Sequence, residues 1–177
     1  MKTTQHSKPD ALPAPGLAGF SFPAAEIRAA RREGRLLCLS LETNTFCNME
    51  CLYCPLSPPR NSGDMRALDS VLPLLEEAAA LGARSVLLGG RGEPSLHPHF
   101  RKLVCSVLNL DLTPVVATNG LSMNENLAGF LFDKGASVIA RLDSLRPAVQ
   151  DRLSGRPGAF GKMYRGLETL LDTGFDD

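Results

Sequence analysis

Short apolar runs alternate along this chain with longer stretches in which apolar residues recur every three or four positions. That is the pattern of strands and helices in alternation. Residues 36–41 (LLCLSL), just after Gly34, are short and apolar enough for a strand buried on both faces. Over residues 68–81, Leu68, Val71, Leu72, Leu75, Ala78 and Leu81 fall at helical spacing, with Gly82 placed to end the helix in a left-handed turn. Pro73 limits where that helix can begin. Residues 85–88 form a second apolar run, and Phe100, Leu103, Val104, Val107 and Leu108 mark the inner face of another helix. Residues 114–117 predict a third strand. Ser122, with Glu125 three residues on, predicts a capped helix start that Gly135 closes. Residues 137–142 predict a fourth strand, and Phe160, Met163, Tyr164, Leu167, Leu170 and Leu171 a final helical stripe before Gly174.

Strands that alternate with helices pair in parallel through right-handed crossovers, which places every loop that follows a strand at one edge of the sheet. The class is therefore α/β, and that edge is where open α/β sheets and α/β barrels place their ligands.

The chain has 177 residues, 44% of them hydrophobic, which suits one compact core. Residues 1–20, which mix Lys2, Lys8, Pro9, Pro13, Pro15 and Gly16 with few large apolar groups, bury too little to offset their ordering and predict a flexible tail, leaving 21–177 as the folded unit. With 19 basic and 19 acidic residues, no overall field favours nucleic acid or an anionic membrane as partner. The basic stretch from Arg28 to Arg35 fits the wet face of a short amphipathic helix. No apolar run reaches the roughly 18 residues that span a bilayer, and the polar start lacks the centre of a secretory signal, which predicts a cytoplasmic protein.

Of the five cysteines, Cys47, Cys51 and Cys54 crowd into eight residues, a spacing suited to one metal centre rather than a disulfide framework. Three thiolates can bind three irons of a [4Fe-4S] cluster and leave the remaining iron open to an outside ligand. The alternative is a structural zinc site with His97 as fourth ligand. Cys38 and Cys105 fall inside the first strand and the second helix, where a thiol packs as a small apolar group. The other strand-end loops are equally unusual: Gly89-Gly90-Arg91-Gly92-Glu93-Pro94, Thr118-Asn119-Gly120 and Asp143-Ser144.

The C-x3-C-x2-C spacing after a strand, the aromatic before its last cysteine and Gly-Glu-Pro after the next strand together resemble the radical S-adenosylmethionine (SAM) superfamily, from about Leu36 to Phe175. The resemblance implies a (β/α) partial barrel, a [4Fe-4S] cluster on Cys47, Cys51 and Cys54, and SAM chelated at the open iron. One electron from the reduced cluster then breaks a carbon–sulfur bond of SAM, and the resulting 5'-deoxyadenosyl radical removes a hydrogen atom from substrate. It further implies that Gly92 through its carbonyl and Glu93 through its carboxylate meet the methionyl ammonium, that Tyr53 carries an adenine contact in its backbone, and that Thr118, Asn119, Arg141, Asp143 and Ser144 reach the ribose or carboxylate. Read from the residues alone, Glu93 also fits a helix cap, Tyr53 a shield for the cluster, Arg141 an ion pair, and Asn119-Gly120 and Ser144 turn and cap chemistry. Arg91 departs from the commoner Gly-Gly-Glu-Pro form.

Complete members of the superfamily usually carry six strand–helix units, and four are visible here. The resemblance thus implies a radical SAM enzyme core fragment or an inactive remnant that still binds a cluster, with a partner chain or self-association covering the open sheet edge. It also implies a one-electron reductant of flavodoxin or ferredoxin type, and a substrate among peptides or cofactor precursors.

Overall fold

A computed structural model describes residues 17–54 and 64–175. The elements run α1 (Ala24–Glu33), β1 (Cys38–Leu41), α2 (Leu68–Ala80), β2 (Ser85–Leu88), a 3-10 turn (Pro94–Leu96), α3 (Phe100–Leu108), β3 (Thr113–Thr118), α4 (Glu125–Asp133), β4 (Ser137–Ala140), α5 (Pro147–Ser154) and α6 (Ala159–Thr173). The four strands form one parallel sheet in the order β1-β2-β3-β4, which is the sequential winding of an open partial barrel. The register climbs as it goes: Cys38 pairs with Ser85 and Ser85 with Thr113, but Ser137 pairs with Val115. That stagger tilts the strands as a barrel requires.

Alternate residues of each strand serve opposite faces. Leu41, Val86, Leu88 and Val116 join Val71 and Leu75 of α2, Phe100, Leu103, Val104 and Val107 of α3, and Leu131 of α4 in the main apolar core. Of the periodic positions read from the sequence in α2 and α3, Val71, Leu75, Ala78, Phe100, Leu103, Val104 and Val107 are buried and Leu68, Leu72 and Leu108 partly so, whereas Leu81, just past the end of α2, is 51% exposed. Pro73 lies inside α2 rather than at its start, on an exposed position. Gly82 ends α2 at φ +87°, as the spacing predicts. In α1 only Ala30 is buried, while Glu26 in the first turn and Arg31 and Arg32 in the last complement the helix dipole, so the basic stretch is indeed a wet face.

Three element boundaries and one buried stripe depart most from the sequence expectations. β1 begins at Cys38 and β4 ends at Ala140, so the flanking leucines belong to loops. α4 begins at Glu125, capped by Asn124, whose side chain accepts from the Leu127 N–H, whereas the Ser122 hydroxyl accepts from Asn48 Nδ2 at 3.1 Å. A long-range partner thus took the group that local spacing assigned to a cap. In α6 Ala159, Met163, Gly166 and Leu170 are buried, while Tyr164 and Leu171 of the expected stripe are 39% and 51% exposed.

Most of the expected tail, residues 1–16, lies outside the described residues. Residues 17–20 form a turn beneath the N-terminal ends of the strands. There Ser85 Oγ donates to the Gly19 carbonyl and Ser137 Oγ to that of Ala18, at 2.5 and 2.7 Å. Gly19 sits at φ +75° so close to Ser85 and Thr113 that a Cβ would crowd both. Composition missed these contacts because two of the residues making them are serines more than sixty positions away. No helix among the described residues is long and apolar enough to cross a membrane.

Candidate active site

All the strand-end loops converge on one cavity of about 520 Å³, inside the roughly 300–1,000 Å³ range of small-molecule sites. Cys47, Cys51 and Cys54 line it together with Tyr53, the 90–93 segment, Thr118, Asn119 and Arg141, and Met49, Ala117, Ile139, Leu142 and Met163 supply apolar wall. No disulfide joins the cysteines. Burial pushes the Cys47 thiol up, and the charge of Glu93 and the neighbouring Cys51 and Cys54 push it the same way against the Met49 N–H. A bound cation reverses that preference, because thiolates are the ligating form.

Glu93 is the buried acid of the site, 2% exposed. One carboxylate oxygen accepts from Thr118 Oγ1 (2.8 Å), Ser95 Oγ (2.6 Å) and Ser95 N (3.2 Å), the other from Asn119 N (2.8 Å). It therefore does cap the 3-10 turn, and it also ties β2's loop to the end of β3. Every one of these donors is neutral, and none of the ion pairs among the described residues includes Glu93. The carboxylate is solvated by dipoles but not neutralised, which leaves a buried site receptive to a cation.

The glycines of the 89–93 loop serve the chain's own packing. A Cβ on Gly92 would overlap the Asn44 carbonyl oxygen, and one on Gly90, at φ +121°, would overlap the Glu42 side chain. Asn44 Nδ2 in turn donates to the carbonyls of Phe46 (2.7 Å) and Glu93 (3.2 Å), and Glu93 N donates to Phe46 O (2.9 Å). These bonds zip the 89–93 loop against the segment that leads into Cys47. Internal packing by itself therefore demands glycine at both positions.

On the opposite wall, Tyr53 donates its hydroxyl to Asp143 Oδ2 at 2.5 Å, while Arg141 Nε bonds Asp143 Oδ1 at 2.9 Å and its guanidinium lies 3.9 Å over the Tyr53 ring. Burial first, then the bonds to Asp143 and Cys51, hold the Tyr53 phenol well above its ordinary range. Burial alone would raise the Asp143 carboxyl, but the bonds from Tyr53 and Arg141 outweigh it and hold the group below the usual carboxylate range. Arg141 is thus an ion-pair partner and lines the cavity at once.

A family model described as the radical SAM superfamily matches residues 41–177. The chain belongs to the radical SAM superfamily. Mycofactocin maturase MftC of Mycobacterium ulcerans is 28% identical over 142 residues, which are 80% of this chain and 38% of that protein. The AdoMet-dependent heme synthase of Methanosarcina barkeri is 25% identical over 140 residues, 77% of this chain and 40% of the relative. Among solved structures, Streptococcus suis SuiB bound to its precursor peptide SuiA superposes with a TM-score of 0.70 at 18% identity, over 85% of this chain and 34% of that one. The chain spans less than half the length of these relatives.

Within this radical SAM fold, Cys47, Cys51, Cys54, Tyr53, Gly92, Glu93, Thr118, Asn119 and Arg141 line one cavity, whereas Asp143 and Ser144 do not. Ser144 Oγ accepts from the Arg146 N–H in a local turn ahead of α5, and Asp143 acts through Tyr53 and Arg141. Asn119 Nδ2 donates to Asn48 Oδ1 at 2.8 Å and approaches Cys47 Sγ at 3.8 Å, so it braces the cysteine loop. His97 sits outside the cavity with both ring nitrogens engaged, Nδ1 by the His99 N–H and Nε2 by the Arg66 carbonyl, which leaves no lone pair for zinc. Cys38 and Cys105 are both partly buried and do not line the cavity.

Sequence reasoning missed Gln150. Fully buried, it accepts the N–H groups of both Asp143 and Ser144 at 2.9 Å and donates to Met163 Sδ. A glutamine in an amphipathic helix reads as its wet side; only the apolar residues around it, Val149 and Leu153 among them, hinted otherwise.

Proposed function

We propose that this chain is the cofactor-binding core of a radical SAM enzyme, with Cys47, Cys51 and Cys54 holding a [4Fe-4S] cluster and Glu93 and Gly92 receiving the ammonium end of SAM. The observation that carries the reading is that three thiols and one buried, unneutralised carboxylate face the same cavity. Among the described residues no three His, Cys, Asp or Glu side chains converge on a point that would seat a single ion. A cubane binds its three thiolates on three separate irons and so does not require them to meet at one point.

When bound, the reduced cluster and SAM supply the one-electron cleavage that yields a 5'-deoxyadenosyl radical for hydrogen abstraction from substrate. The chain's own residues do the rest. Met49, Ala117, Ile139 and Met163 keep the wall dry, which strengthens the attraction between Glu93 and an ammonium. Thr118 and Asn119 hold the Glu93 carboxylate aimed into the cavity, and Arg141 offers a cation to a ligand carboxylate on the far wall. A cytosolic setting suits thiols that must stay reduced, and a flavodoxin- or ferredoxin-type donor would supply the electron. The heme synthase and the peptide-bound SuiB among the relatives support a substrate among peptides and cofactor precursors.

The test is anaerobic reconstitution with iron and sulfide, then dithionite and SAM. Release of 5'-deoxyadenosine by the wild type and none by Cys51→Ala is the expected result. Cluster absorbance without any cleavage would reduce the reading to a cluster-binding remnant.

A further inference from the structure

The cysteine loop is held from a direction that its own motif does not announce. The N–H groups of Glu50 and Leu52 donate to the carbonyls of Ser154 (3.0 Å) and Leu153 (2.9 Å), in the last turn of α5. The Asn48 carbonyl accepts from Arg156 Nη1 at 2.5 Å. Gly155, at φ +64°, lies so near Glu50 that a Cβ would overlap its carbonyl oxygen. Residues 48, 50 and 52 are thus tied to one short segment, and each is the immediate neighbour of a cysteine, Cys47 or Cys51.

The arrangement solves two problems together. Carbonyls in the last turn of a helix lack intrahelical donors, and loop N–H groups need acceptors; each supplies the other here. The segment bearing Arg156 is itself fixed, because Asp151 accepts from the N–H groups of Gly158 (2.6 Å) and Phe160 (2.8 Å). A loop whose thiolates must be brought together against their mutual repulsion gains most from a backbone ordered in advance.

We infer that the last turn of α5, with Gly155 and Arg156, is a positioning device that sets the shape of the iron–sulfur loop before any cluster arrives. Gly155 and Arg156 are positioning residues, since neither lines the cavity. The inference rests on the cluster reading above.

Amide hydrogen exchange on the cluster-free chain tests the device directly, followed by iron and sulfide content and the electron paramagnetic resonance (EPR) spectrum of the reduced, reconstituted protein. Arg156→Ala should fold with wild-type far-ultraviolet circular dichroism yet exchange the Glu50 and Leu52 amides about tenfold faster or more, as expected for local rather than global opening. It should also hold less than half the wild-type iron and give a broadened EPR signal. Arg156→Lys, which keeps a donor, should recover most of the protection, and Arg152→Ala, on an exposed position of the same helix, should match wild type. Gly155→Ala should act like Arg156→Ala more severely; if it fails to fold, the Arg156 variants carry the test. Wild-type exchange, iron content and EPR spectrum in Arg156→Ala would overturn the proposal alone. A wild-type chain that takes up no iron and sulfide would overturn the functional reading and the proposal with it.

Discussion

On the helix-covered face of the sheet, Val71, Leu75, Val86, Leu88, Val104, Val116 and Leu131 are sealed from solvent in one apolar cluster. On the cavity face the corresponding apolar cluster shrinks to Met49, Ala159 and Met163, and order comes from hydrogen bonds among Asn44, Asn48, Glu93, Asn119, Gln150 and Arg156. The first face is held by a force that is nondirectional and summed over area. The second is held by bonds that each require one partner in one place, and that cost most when a single member is lost. A fold built this way can be stable while its site is fragile.

The largest effect should come from Cys51→Ala, which should abolish 5'-deoxyadenosine release while leaving thermal unfolding of the cluster-free chain unchanged. That result would separate chemistry from scaffold in one substitution. Leu75→Ala, on the other face, should lower stability by about 2–5 kcal/mol through lost burial and a residual cavity, read as a lower denaturant midpoint. Gln150→Leu should cost about 1–3 kcal/mol despite similar bulk, because the N–H groups of Asp143 and Ser144 lose their acceptor. If it proves neutral by denaturant titration, the polar network is ornamental and the contrast between the faces fails.

Acid titration sharpens the same contrast. Backbone N–H groups of Phe160 and Gly158 hold the Asp151 carboxyl below its ordinary value. A depressed folded-state value contributes stability above the unfolded carboxylate pKa, and that contribution is lost as pH falls through the folded value. Asp151→Asn should therefore lower stability most near neutrality, where that contribution is complete, and converge on wild type in acid, so that the acid limb of stability against pH flattens. Smallest of all should be the exposed Arg91–Glu42 pair, 2.7 Å apart, whose coupling in a double-mutant cycle should be at the edge of detection and fade with salt.

The same division decides what could be read beforehand. β2 was legible to the residue and α2 and α3 to within one, because apolar periodicity is a local signal and the core that rewards it is generic. The cysteine spacing and Gly-Glu-Pro were legible because unusual residue types cluster in short loops. Asn48 with Arg156, Tyr53 with Asp143, and Glu93 with Thr118 were not, since each pairs polar residues 108, 90 and 25 positions apart and polar partners leave no periodic trace. Ser122 shows the cost of local inference: its spacing to Glu125 is right for a cap, yet Asn124 starts the helix and the serine hydroxyl serves the cysteine loop.

The turn at residues 17–20 carries a practical consequence. Trimming the chain to begin at residue 21, where composition alone would cut it, would spare every helix and strand yet strip two acceptors from the underside of the sheet. The hydroxyls of Ser85 and Ser137 would then recruit water at the end of the barrel farthest from the cysteines, and the shortened protein would be wetted from below.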